Sequence, residues 1–218
     1  MVTNRNTQAS KEESFKKILK LLKKNYPDAH CALNFKNPFE LLIATILSAQ
    51  CTDGRVNKVT KVLFEKYPDA ESLAIASSED IENIIRSAGF YKNKSRNIKL
   101  CSQVLVDEFQ GQVPEEMSSL VKLPGVGRKT ANVVLGNAFG IASGVVVDTH
   151  VTRLSNRFGW VKSEDAVKIE AELNKLCPQK DWIMLSHYLI EHGRKICKAR
   201  NPDCENCFLQ KCCPKRGV

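Results

Sequence analysis

Apolar residues recur at helical spacing along nearly the whole chain. Phe15, Ile18, Leu19 and Leu22 line one face and lysines the other, which predicts a first amphipathic helix after the polar stretch Met1 to Ser10, ending near Tyr26-Pro27. Asn37-Pro38 reads as an N-cap followed by a proline in the first turn, opening an apolar helix that runs to about Gln50; Thr52 and Asp53 cap the next. The same periodicity predicts helices over about 53–66, 79–87, 94–109, 114–122, 128–139, 149–158, 164–176 and 182–195. Ile141 to Val147 is β-branched enough to be extended, but one such run without a partner makes no sheet. The expected fold is all-α. No repeat and no Gly/Ser-rich linker divides the chain, so any second domain must share elements with the first.

One junction between helices is built for more than packing. Pro114, Glu115 and Glu116 open a short helix and Pro124 stops it. Gly125-Val126-Gly127 then makes a tight turn before the next helix starts at Arg128. Glycines let the backbone approach a ligand, and the amides at the start of the second helix point at any anion there, as a DNA phosphate would be. The loop is not a Walker A motif: Lys122 stands where the first glycine belongs, and Arg128 interrupts the Gly-Lys pair. Lys129 sits in the first turn, with its ammonium facing the positive end of the helix dipole beside Arg128; a lysine so badly placed for stability is a candidate nucleophile, whose amine can attack carbon and form a Schiff base.

Asp148 precedes the pattern Val151, Leu154, Phe158 and is at least an N-cap. The helix from Arg128 rises about 20 Å and an extended return over 141–147 reaches about 23 Å, so the spacing permits Asp148 to come back beside Lys129. At a helix start its carboxylate is suited to accept a proton or to stabilise a sugar cation.

Charge and cysteines narrow the partners. The chain has 33 Lys and Arg against 24 Asp and Glu, and the net charge of +9 lies mostly beyond residue 120, favouring a polyanionic partner. The segment Phe39 to Ala49 is interrupted by Glu40 and is too short to span a bilayer. With no apparent secretory signal, an intracellular, non-secreted protein without a membrane partner is expected. Nine cysteines there are not a disulfide framework. Cys197, Cys204, Cys207 and Cys213 follow the spacing C-x6-C-x2-C-x5-C, which points to metal, with Cys212 a rival for the last position. Thiolate ligation suits zinc or a four-iron four-sulfur cluster. Cys31, Cys51, Cys101 and Cys177 read as small buried hydrophobes. Lys198 and Arg200 would stand on the metal-bound loop and meet phosphates.

The run Leu123-Pro124-Gly125-Val126-Gly127-Arg128-Lys129-Thr130-Ala131, the run Val147-Asp148-Thr149-His150 and the cysteine spacing together resemble the endonuclease III family of DNA glycosylases. The resemblance extends through Asn37 to Asp53 and Gly89 to Ile98, and covers all but about the first ten residues. It implies two helical domains with DNA in the cleft between them: a six-helix domain over 32–141, and a cluster domain from 1–31 and 142–218. It further implies Lys129 as the nucleophile, Asp148 as the catalytic aspartate, the four cysteines as ligands of a four-iron four-sulfur cluster, and Gln50 filling the gap left by an extruded nucleotide. Gly125, Val126, Gly127, Arg128 and Thr130 would bind DNA through the hairpin. The implied activity is bifunctional: removal of oxidised pyrimidines from duplex DNA, then nicking 3′ to the abasic site by β-elimination. A monomer is expected, cytoplasmic and nucleoid-associated if the source is bacterial. An adenine-specific mismatch glycosylase on the same scaffold would not need Lys129, and a non-catalytic DNA-binding module would need neither Lys129 nor Asp148. Two departures stand out: the connection from Gly140 to Val147 is one residue longer than the common pattern, and Cys51 replaces the usual alanine.

Overall fold

The computed structural model describes the backbone of residues 2–218 and the side chains from residue 9 onward, so most of the polar stretch Met1 to Ser10 lies outside the described side chains. Among the described residues all regular structure is helical. The α-helices are α1 (Val2–Asn25), α2 (Pro38–Leu47), α3 (Asp53–Lys66), α4 (Ala70–Ile75), α5 (Ser78–Ile85), α6 (Tyr91–Phe109), α7 (Met117–Leu120), α8 (Arg128–Phe139), α9 (Thr149–Arg157), α10 (Ala166–Leu176) and α11 (Trp182–Lys195). None is long and apolar enough to cross a membrane. The chain forms two compact units, Cys31–Ser143 and the pair Met1–His30 with Gly144–Val218.

The unit Cys31–Ser143 is organised around α2, which is buried from Phe39 to Leu47. A helix apolar on every side can only be central, and its neighbours supply the surrounding layer of Val56, Leu63, Leu73, Ile81, Ile98 and Val134. Asn37 accepts a hydrogen bond from the Glu40 amide, and Glu40, itself buried, accepts from the Lys36 amide, so the polar residues at the start of this apolar helix are satisfied. In the other unit, α1, α9, α10 and α11 surround a fully buried Trp160, with the rings of Phe15 and Phe158 at 4.6 and 4.9 Å.

Five local expectations change. Helix α1 begins at Val2, inside the polar stretch, rather than after Ser10. Periodicity does not reveal α4, because six residues are too few to show a period; its cue is the capping box between Asp69 and Ser72. Helix α2 stops at Leu47 rather than Gln50, because the Ser48 amide and hydroxyl bond back into the last turn and Gln50 adopts a left-handed backbone (φ 52°). Helix α7 starts at Met117 rather than Pro114, since Glu116 is extended. Helix α6 begins at Tyr91, three residues before the expected start. Residues 141–147 run without a ladder partner; in the C-terminal segment the Val145 amide bonds to Asn174 Oδ1 and the Val146 carbonyl accepts from Ser186.

Candidate active site and cysteine loop

The two hairpin glycines are required for different reasons. Gly125 has φ +78°, and a Cβ there would lie 3.0 Å from Asn97 Cβ on α6 and 3.2 Å from Ile46 Cγ2 on α2. It locks the turn against both helices. Gly127, the residue before α8, would place a Cβ in open space, so nothing in the protein requires its missing side chain. The opening at Gly127 therefore leaves the backbone accessible to an outside molecule. Val126 is buried and pins the turn between them. Arg128 and Lys129 are exposed and Thr130 half-buried on the first turn of α8, which carries no acidic residue and no side-chain cap. Cations in the first turn of a helix face the positive end of its dipole, which favours an anion nearby.

Gln50 is exposed three residues past the end of α2, and its left-handed backbone costs a non-glycine residue about 1 kcal/mol. Phe90 is a second such residue in the same unit. It has φ 48°, follows Gly89 at φ 71°, and leaves its ring 65% exposed. The buried Lys94 holds this turn by donating from Nζ to the Ala88 carbonyl at 2.9 Å. An exposed aromatic ring on a strained, pinned turn is a feature that the helical pattern alone does not reveal.

In the other unit Asp148 caps α9, its Oδ1 accepting from the Val151 amide at 2.8 Å. The same helix anchors the cysteine loop. Arg153 Nη2 donates to the carbonyls of Gly193 and Cys197, and a Cβ at Gly193 would collide with this arginine and with His150. Arg157, buried at the end of α9, donates to Cys197 Sγ at 3.3 Å and to the carbonyls of Lys198 and Ala199 at 2.7 and 3.0 Å. The segment bearing the exposed Lys198 and Arg200 is thus fastened from beneath.

Cys197, Cys204, Cys207 and Cys213 line one cavity with His192 and Arg157. Cys212 turns away from it and donates to the Leu209 carbonyl. Backbone amides of Leu209 and Lys215 donate to Cys207 and Cys213, and His192 Nε2 lies 3.6 Å from Cys207 Sγ. Burial pushes the Cys207 and Cys213 thiols above their ordinary range, and the neighbouring sulfurs push them further. Burial likewise pushes His192 down to about 4. Among the described residues, no three His, Cys, Asp or Glu side chains converge on a single-ion site.

Comparison with known proteins decides the family. Residues 43–179 match the model of the HhH-GPD superfamily base excision DNA repair protein. The endonuclease III of Synechocystis sp. is 54% identical over 94% of each chain, and that of Bacillus subtilis 46% identical over 86% of each. The chain belongs to the endonuclease III family. A solved structure of a trapped endonuclease III–DNA covalent intermediate matches it with a TM-score of 0.89 at 46% identity, covering 94% of this chain and 96% of that one. The all-helical fold is thus that of endonuclease III. Against this family background, sequence reasoning missed Phe90, Arg157 and His192. Phe90 carries one local signal, an aromatic ring straight after a glycine at a helix start; the other two act on residues far along the chain and carry none.

Proposed function

We propose that the chain excises oxidised pyrimidines from duplex DNA and nicks the strand 3′ to the resulting abasic site, with Lys129 as nucleophile. The observation that carries this reading is an exposed lysine on the uncapped first turn of a helix, directly after a glycine turn whose backbone is open to an incoming phosphate. Gly125 to Thr130 hold the DNA backbone through amides and cations, while Lys198 and Arg200 add phosphate contacts from the cysteine loop. The damaged nucleotide swings out of the helix and Gln50 fills its place, while the exposed ring of Phe90 offers an apolar group for insertion into the stack.

The Lys129 amine attacks C1′ of the deoxyribose and the bond to the base breaks, the base departing with its electron pair and a proton. Asp148 stabilises the positive charge that develops on the sugar, takes the proton released by the attacking amine and passes it to the departing base. Ring opening gives an imine between Lys129 and C1′. Loss of a C2′ proton expels the 3′ phosphate by β-elimination, and water releases the enzyme. The work is done on genomic DNA inside the cell.

Members of the family carry a four-iron four-sulfur cluster, and the donors at Cys197, Cys204, Cys207 and Cys213 fit one. Four thiols share a cavity, repulsion from the neighbouring sulfurs opposes ionisation of Cys207 and Cys213, N–H donors from Arg157, Leu209 and Lys215 reach the sulfurs, and His192 Nε2 lies 3.6 Å from Cys207 Sγ. When bound, the cluster supplies covalent cross-linking that keeps the loop ordered. The test is a nicking assay on duplexes bearing an oxidised pyrimidine or an abasic site: wild type should cut both and Lys129→Gln neither. A Lys129→Gln variant that cuts at the wild-type rate overturns the assignment.

A further inference from the structure

The N-terminal helix and the cysteine loop are joined by a chain of buried polar groups. Tyr26, just past the end of α1, places its hydroxyl 2.8 Å from Nδ1 of His192, which is 1% exposed, and the opposite ring nitrogen lies 3.6 Å from Cys207 Sγ. Phe208 packs edge-on against both rings, at 5.6 and 5.1 Å, and fixes their planes. The backbone adds a further tie, since the His192 carbonyl accepts from the Cys197 amide at 2.8 Å.

The chemistry of the ends sets the direction of these bonds. A metal-bound thiolate can only accept, so Nε2 must carry a proton to face it without repulsion. Neutral imidazole then has its lone pair on Nδ1, and the Tyr26 hydroxyl must donate to it. The geometry points to Tyr26 and His192 as positioning residues that deliver one oriented N–H to the Cys207 sulfur and thereby set the electron density of the cluster ligand. This rests on the cluster reading above. Arg157 serves Cys197 in the same way but donates also to two carbonyls, whereas among the described residues the side-chain hydrogen bonds of His192 go to Tyr26 and Cys207. Hydrogen bonds to the sulfurs raise a cluster's reduction potential by stabilising its more negative state, and ligand partners of this kind retain the metal.

The test uses purified holoenzyme and two readouts other than activity: the reduction potential from voltammetry and the rate of iron release to a chelator. His192→Leu should move the potential negative and release iron about tenfold faster. His192→Gln, which keeps an N–H near the Nε2 position, should restore most of both. Tyr26→Phe keeps the ring packing and removes only the hydroxyl, so it should shift the potential in the same direction by less, even if the leucine variant folds poorly. An unchanged potential in Tyr26→Phe or His192→Leu overturns the relay, as does a His192→Gln variant no better than His192→Leu. Wild-type protein without iron overturns the cluster reading, and the relay with it.

Discussion

The hairpin at 124–130 and the cysteine loop at 197–213 both expose cationic side chains, and they hold them by opposite means. At the hairpin the chain subtracts: Gly125 gives up its side chain so that the backbone can press on Asn97 and Ile46, and Gly127 leaves open space. At the cysteine loop it adds, with Arg153, Arg157 and His192 reaching in from α9 and α11 to fill the carbonyls and sulfurs of a segment that has little apolar core of its own. A turn that must present open backbone is made by removing atoms, and a segment that must stay ordered without a core is made by satisfying its polar groups.

Breaking this contrast at the chemistry gives the largest effect. Lys129→Gln should lower nicking by about a thousandfold or more, about 4 kcal/mol of transition-state stabilisation. It should leave thermal stability unchanged or slightly raised, because a cation leaves the positive end of α8. Arg157→Ala strips three hydrogen bonds from the cysteine loop at once, and stability measured by denaturant should fall by about 3 kcal/mol, with visible absorbance lost in parallel. Asp148→Asn separates cap from chemistry: asparagine caps a helix as well as aspartate, so the melting temperature should hold while excision falls by about a hundredfold. Unchanged excision would reduce Asp148 to its capping role.

The glycine pair gives the smaller effects. Gly125→Ala meets both a positive φ and a 3.0 Å contact, and should cost about 2 kcal/mol of stability. Gly127→Ala should change stability by about 0.5 kcal/mol or less, since its Cβ would stand in open space, while weakening affinity for abasic duplex if the turn meets the DNA backbone as proposed. Equal destabilisation by the two substitutions would erase the distinction drawn between them.

Which parts of the molecule could be read from the chain follows the same division. Local devices were legible: the proline and glycine punctuation around 124–127, the cap at Asn37-Pro38 and the close spacing of the last cysteines each act through neighbours in sequence. The extent of α2 was not, because its end is set by Ser48 bonding backwards and by Gln50 taking a conformation that glutamine does not advertise. Cys212 and Cys213 could not be told apart by spacing; the turn at Leu209 separates them, directing one sulfur to a carbonyl and the other into the shared cavity. Arg157, His192 and Tyr26 were invisible for a different reason. Each looks like an ordinary residue at the end of an amphipathic helix, and its role exists only once distant segments are packed together.

The central claim is that one amine forms the bond to DNA, and the most direct measurement is borohydride reduction during turnover on an oxidised-pyrimidine duplex, followed by peptide mapping of the adduct. The account predicts a stable protein–DNA cross-link carried by Lys129, absent from Lys129→Gln. A cross-link mapped to a different residue, or formed in full yield by that variant, would contradict it.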